Sequence, residues 1–305
     1  MKWLERLKNE AKLRQIPPDK IYRHYVMERF LYRLSLSPHA DKFCLKGGML
    51  LLGMGSAPAR NTQDIDLLGR LSNDPAQVAR VIADIIRTRP GVQDGVTYSG
   101  PVHMEEITKD ALYVGVRASF TGHIGSVLCP MTIDIGFSDE VFPHPHEMHY
   151  PATLSELPSA HIKCYTPESV VAEKWQAMIQ LGPANSRMKD FYDLWFISRT
   201  YRFEAAVLRE AILRTCARRN TPPENYVYLR EEAYRSAQQQ DWAAYIRKLK
   251  AAVYMRRPPV TLPSRFFGEV LDEILDWLSP LMEGAAVTIW KPGRGWLQSE
   301  QNMNK

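Results

Sequence analysis

The sequence predicts an α+β protein in which a small α/β unit precedes a helical one. Three observations carry this reading. Short apolar runs punctuated by glycine occupy the region before residue 70, the stretch from Val96 to Phe137 is rich in β-branched and aromatic residues, and helical periodicity is almost unbroken after Tyr165. At 305 residues and 45% hydrophobic, the chain has the material for about two domains with real cores, which excludes a disordered polymer.

Taken in order, the first forty residues read as two helices broken by Pro17-Pro18, with Asp19 as an early-helix carboxylate. In the second helix Ile21, Tyr25, Phe30, Leu31 and Leu34 recur near the helical period. Phe43-Cys44-Leu45 is a short apolar run ending in Lys46-Gly47-Gly48, and a small helical stretch runs from Met49 to Met54. The Gly, Ser and Pro residues between Gly53 and Arg60 mark a loop. Asp64-Ile65-Asp66-Leu67-Leu68 alternates as a strand with one wet face does. Pro75 to Thr88 sets Val78, Val81, Ile82 and Ile85 on one side of a helix. Leu112 to Phe120 and Val127 to Phe137 read as strands around a Thr121-Gly122 turn.

A proline-bearing loop (Pro143, Pro145, Pro151, Pro158) leads into six helical segments: Pro167–Leu181, Met188–Thr200, Phe203–Arg219, Val227–Gln238, Asp241–Tyr254 and Arg265–Leu278. The last twenty residues contain Trp290, Pro292, Gly293, Gly295 and Trp296 and read as an extended tail. The expected division is N-terminal helices packing on the core over 1–40, an α/β core over 41–165, a helical domain over 166–282 and the tail over 283–305.

Composition narrows the function classes. No apolar run approaches the roughly 20 residues that a membrane span needs, and the N-terminus lacks a signal-peptide core. Cys44, Cys129, Cys164 and Cys216 form no CxxC pair, so they read as core thiols of a reduced, cytoplasmic protein. The net charge of +5 is too mild to announce nucleic-acid binding, but its distribution is uneven. From Tyr201 to Arg257 there are 12 Lys/Arg against 6 Asp/Glu, which makes the helical half basic.

The segment Lys46-Gly47-Gly48 … Arg60-x-Thr62-x-Asp64-Ile65-Asp66 carries the chemistry. Alternation on a strand puts Asp64 and Asp66 on one face, about 7 Å apart. Like charges at that spacing suit either water or a divalent cation, and magnesium favours one or two carboxylates plus substrate phosphates. Gly47-Gly48 ahead of a short helix lets backbone N–H groups approach a phosphate. Asp134, in the strand-like run Thr132-Ile133-Asp134-Ile135-Gly136, is a candidate third carboxylate for two-metal phosphoryl or nucleotidyl transfer. An isolated DxD is more often a solvated strand end or turn; the upstream double glycine and the second acidic strand bring the two readings level. Lys174 lies close to an apolar helix face, where it is either a snorkelling stem or an ammonium aimed at a triphosphate. Asp190 and Asp193 share a helix face with Arg187 and Lys189 nearby, the pattern of an ordinary ion-pair set.

Together these motifs resemble the AbiEii/AbiGii toxin nucleotidyltransferases, a family that includes the MenT-type toxins. The ordered set is Lys46-Gly47-Gly48 with Arg60-x-Thr62-x-Asp64-x-Asp66, Asp134-Ile135-Gly136-Phe137, Ala172-Glu173-Lys174-x-x-Ala177-Met178 and Arg187-x-Lys189-Asp190-x-x-Asp193. The resemblance implies a polymerase-β-like nucleotidyltransferase core with a C-terminal helical bundle. It implies Mg²⁺ or Mn²⁺ on Asp64, Asp66 and Asp134, with catalytic roles for Asp64, Asp66, Lys174 and Asp190. Nucleotide contacts would come from Lys46, Gly47, Gly48, Arg60, Thr62, Lys174, Arg187 and Asp193. The implied reaction moves NMP from an NTP to RNA, at the 3′ end of tRNA. The implied partner is a cognate winged-helix, AbiEi-like antitoxin of a toxin–antitoxin or abortive-infection (phage-defence) pair. A catalytically silent NTP-binding interaction protein and a metal-dependent phosphohydrolase are the alternatives.

Three further features are weighed against ordinary roles. His144, His146 and His149 read as a stiff exposed loop before a metal site. Arg218-Arg219 and Arg256-Arg257 fit helix ends or RNA contact. Tyr226, Tyr228 and Tyr234 fit bundle packing before base stacking.

Overall fold

The computed structural model describes residues 2–55, 62–109, 113–253 and 261–298. These divide into two compact units, the described parts of 2–139 with 145–165, and of 140–144 with 166–253 and 261–298.

In the first unit Pro17 and Pro18 end one helix and begin another, α1 (Lys2–Arg14) and α2 (Pro18–Leu36). They precede β1 (Phe43–Lys46), the short α3 (Gly47–Gly53) and β2 (Ile65–Gly69). Asp74 caps α4 (Pro75–Arg87), accepting from the Ala76 and Gln77 N–H groups at 3.2 Å, and Val78, Val81, Ile82 and Ile85 are its buried stripe. The strands β3 (Val96–Lys109), β4 (Tyr113–Ile124), β5 (Val127–Gly136), β6 (His146–Tyr150) and β7 (Ala160–Cys164) complete a seven-stranded mixed sheet of order β3-β4-β5-β2-β1-β7-β6. The β4–β5 turn lies beyond Ile124 rather than at Thr121-Gly122, because pairing continues through Gly122↔Cys129 to Ile124↔Val127.

Helix α2 is buried along most of its length, and Phe30 meets Tyr98 and Phe120 of the sheet. Its buried charges are paired. Arg33 forks onto Asp94 at 2.8 and 3.2 Å, and Glu28 Oε2 accepts the Thr153 N–H at 2.6 Å. Arg29 lies 2.9 Å from the other Glu28 oxygen, so each buried charge of the helix faces an opposite charge or a donor, which lowers the cost of holding it in the core.

The second unit contains α5 (Pro167–Leu181), α6 (Met188–Thr200), β8 (Phe203–Glu204), α7 (Ala205–Arg218), α8 (Glu232–Val253) and α9 (Phe267–Met282). Trp175, Trp242 and Trp277 are fully buried in it. Thr166 caps α5 by accepting the Ser169 N–H at 3.1 Å. Tyr226, Tyr228 and Tyr234 are buried packing residues, and Tyr228 donates to the Met178 carbonyl at 2.8 Å.

Three further segments differ from expectation. His146–Tyr150, read as part of a stiff proline-bearing loop, is strand β6, because it pairs antiparallel with β7 from His146↔Cys164 to Tyr150↔Ala160. Val227–Gln238 and Asp241–Tyr254, read as two helices, are a 3-10 turn over Val227–Arg230 followed by one continuous α8. No proline or glycine interrupts the run, so nothing stops the helix at Gln238–Gln240. The expected extended tail instead holds a hairpin, β9 (Val287–Lys291) with β10 (Gly295–Gln298), and β9 pairs with β8. Two indole donors fix it: the half-buried Trp290 N–H bonds the Ser198 carbonyl at 2.6 Å and the half-buried Trp296 N–H bonds the Trp277 carbonyl at 2.8 Å. Residues 299–305 lie outside the described residues.

Among the described residues no helix is long and apolar enough to cross a membrane. The four cysteines are buried and free.

Candidate active site

Strand pairing in the first unit sets one charged residue per strand at the same height. Lys46 of β1 faces Asp66 of β2 across an antiparallel pair, and Asp66 faces Asp134 of β5 across a parallel one. Asp134 in turn faces Arg117 of β4. Residues directly opposite on neighbouring strands project from the same face, so the sheet carries a row of cation, carboxylate, carboxylate and cation. Two carboxylates side by side repel, and the flanking cations offset that repulsion.

Asp64 precedes β2 and shares the face of Asp66 by alternation. Thr62 orients it: the Thr62 hydroxyl donates to Asp64 Oδ1 at 3.1 Å. Arg117 forks onto Asp134, Nε to Oδ1 at 2.7 Å and Nη2 to Oδ2 at 3.0 Å. The hydrogen-bonded Asp134 carboxylate holds the Arg117 pKa above its ordinary value, and the charges of Glu105 and Asp64 act in the same direction. Lys46 is buried, with Nζ 2.7 Å from Asp139 Oδ2 and beneath the Tyr165 ring. The Tyr165 hydroxyl donates to the same Asp139 oxygen at 3.2 Å.

Gly47 has a defined task. Its φ is +65°, and a Cβ there would lie 2.6 Å from Cγ of Asp66. Absence of a side chain at 47 is what makes room for the Asp66 carboxylate. Gly48, next in α3, is buried.

The donors suit a hard divalent ion, since Asp64 and Asp66 supply carboxylate oxygens from one strand. Among the described residues, however, no group of three or more His, Cys, Asp or Glu is gathered to hold a metal ion. Asp134, expected as the third ligand, is forked by Arg117. Of the histidines, His149 stacks on His161 at 4.6 Å between centroids.

In the second unit, α5 and α6 bring together the other motif residues. Lys174 Nζ lies 2.7 Å from Asp190 Oδ1 and 2.7 Å from Asp193 Oδ2. Asp190 and Asp193 therefore share a face as expected, and it is turned to Lys174. Arg187 is exposed just before α6, its backbone N–H bonded to the Asn185 side chain at 2.9 Å. Arg219 is buried, donating to Gln176 Oε1 at 2.7 Å and Glu173 Oε1 at 2.8 Å, so it does not present a guanidinium for RNA contact. Arg60, Arg256 and Arg257 fall outside the described residues.

Arg117, Asp139 and Tyr165 were not singled out in the sequence. Arg117 sits in an alternating strand pattern and could be found only by knowing which residue of β4 meets Asp134. Asp139 and Tyr165 touch Lys46 through chain folding that leaves no local motif.

The family model for the nucleotidyl transferase AbiEii toxin of type IV toxin–antitoxin systems matches residues 29–257. No curated protein matches the chain. Among solved structures, the chain is similar to a Helicobacter pylori protein described, provisionally, as a nucleotidyltransferase. That pair is 13% identical with a TM-score of 0.47, covering 88% of this chain and 98% of the other. It is also similar to JHP933 of Helicobacter pylori, 11% identical with a TM-score of 0.44, covering 87% and 94%.

Proposed function

The chain belongs to the AbiEii nucleotidyl transferase toxin family, and from that premise we propose that it is a Mg²⁺-dependent enzyme transferring NMP from an NTP to RNA, at the 3′ end of tRNA. The nucleotidyltransferase activity and an antitoxin partner follow from the family; metal, acceptor and residue roles are our reading. The observation that carries it is the carboxylate pair at the end of β2, kept clear of a side chain by Gly47 and bordered in register by Asp134.

When bound, a divalent cation supplies Lewis-acid activation of the attacking hydroxyl and neutralises triphosphate charge. Asp64 and Asp66 would hold it, with Thr62 fixing the Asp64 rotamer. The Gly47-Gly48 backbone would line the nucleotide phosphates. The acceptor hydroxyl gives up its proton to solvent and its oxygen forms a new bond to the α-phosphorus, the bond from that phosphorus to the bridging oxygen breaks, and pyrophosphate leaves. Lys174, Asp190 and Asp193 serve the same reaction on the strength of the ordered motifs. Exposed Arg247, Lys248 and Lys250 of α8, in the basic segment, would contact acceptor phosphates, so RNA affinity should fall steeply as salt rises. The antitoxin is taken to be a winged-helix, AbiEi-like protein.

The test incubates purified protein with α-labelled NTPs, Mg²⁺ and total tRNA, beside Asp64→Ala. Label entering RNA with the wild type alone is expected. Equal labelling by both proteins, or release of free phosphate without elongated RNA, would overturn the proposal.

A further inference from the structure

Asp134 is the most enclosed carboxylate of the row, 3% exposed, and the Arg117 guanidinium grips both of its oxygens. A side-on guanidinium fork takes the lone pairs that a cation would chelate. Arg117 has a second carboxylate within its own row. Across the antiparallel β3–β4 pair, Glu105 faces Arg117 on the side away from Asp134, and its charge already acts on the guanidinium. Glu105 is exposed, whereas Asp134 is buried. The arrangement thus offers one cation two acceptors, on neighbouring strands and at the same height.

We propose that Arg117 is a counter-ion switch: it holds Asp134 in the metal-free protein and moves to Glu105 when a divalent cation takes Asp134. This rests on the reading of Asp64 and Asp66 as cation ligands. In the metal-free state the fork contributes positive charge to a buried carboxylate that stands beside Asp66. In the metal-bound state the cation takes over that compensation, and Glu105 receives the displaced guanidinium at the sheet surface. The ion-pair exchange makes Asp134 a third ligand only when a cation is present, consistent with the absence of a gathered three-carboxylate cluster among the described residues.

The test measures Mn²⁺ affinity by calorimetry on the full chain, with thermal melts of the metal-free proteins as a folding control. Arg117→Gln removes the competitor, so Mn²⁺ should bind on the order of tenfold tighter while the metal-free protein melts earlier. Arg117→Lys keeps the charge without the fork and should fall between wild type and Arg117→Gln, which carries the test if the Gln variant does not fold. Glu105→Gln should weaken Mn²⁺ binding several-fold in the wild-type background and have no effect beside Arg117→Gln. Unchanged or weaker Mn²⁺ binding in folded Arg117 variants would overturn the switch. So would a Glu105→Gln effect that persists without Arg117, since Glu105 would then be acting on the cation itself. Wild-type binding that Asp64→Asn abolishes shows the metal reading intact, so a failure of the switch is then its own. No Mn²⁺ binding by any of the proteins overturns both.

Discussion

Replacing Gly47 by alanine should damage stability and activity together. The new side chain meets two costs. A φ of +65° strains an L-residue by about 1–2 kcal/mol. The added Cβ also overlaps the Asp66 carboxylate, and forcing an extra methyl into a filled site costs roughly 1–3 kcal/mol. Together, a loss of about 2–5 kcal/mol corresponds to a melting temperature lower by roughly 4–20 °C. Relief requires Asp66 to move, and displacing a catalytic group by about 1 Å costs on the order of 100-fold in rate. Gly100→Ala is the matched control. Its φ is +87° with no atom within 4 Å of the added Cβ, so it pays strain alone and should keep full transfer activity. Thermal melts and transfer of label from NTP to RNA on both variants separate the two effects. Equal melting losses with transfer retained in both would refute the claim that Gly47 exists to admit Asp66.

Three further outcomes are expected. Lys174→Met removes the ammonium between two buried carboxylates and should cost about 3 kcal/mol, read as an earlier melt, with transfer lost even below the melting range. Burial, helped by the Arg14 charge, pushes the His24 pKa down to about 4 from an ordinary 6.5. The folded state thus resists protonation, and the neutral-ring contribution is complete above pH 6.5 and lost as pH falls towards 4. At most about 3 kcal/mol is involved, and melts from pH 7 to 4 should fall less steeply in His24→Gln than in the wild type; parallel slopes would count against it. Burial pushes the thiols of Cys44, Cys164 and Cys216 up to about 12 and also raises Cys129. A thiol reagent at pH 7.5 should label none of the four in the native protein and all four after unfolding.

Much of the fold was legible because local rules decided it. Pro17-Pro18 placed a helix break, Pro75 and Pro167 placed helix starts, and the Asp64–Leu68 alternation placed a strand. What stayed hidden depended on partners distant in sequence. The Thr121-Gly122 dipeptide looks like a turn, yet pairing to Pro130 and Cys129 of β5 carries the strand past it. The C-terminal hairpin depends on Ser198 and Trp277 carbonyls accepting indole N–H groups, which no local pattern announces. At the site, the DxD and the second acidic strand were readable as residues. Their register was not, and with it went the Arg117 fork, the facing Glu105, and the Lys46–Asp139–Tyr165 cluster. Asp190 and Asp193 were correctly put on one face, but helix periodicity could not show that Lys174 of another helix fills the space between them.

The most direct measurement is the rate of NMP transfer from α-labelled NTP as Mg²⁺ is titrated, for the wild type and for Asp66→Asn. The account predicts no transfer without divalent cation, saturation as Mg²⁺ rises, and a loss of roughly 100-fold or more in Asp66→Asn at every Mg²⁺ concentration. Transfer that proceeds in a chelator, or an Asp66→Asn protein that keeps the wild-type rate, would contradict it.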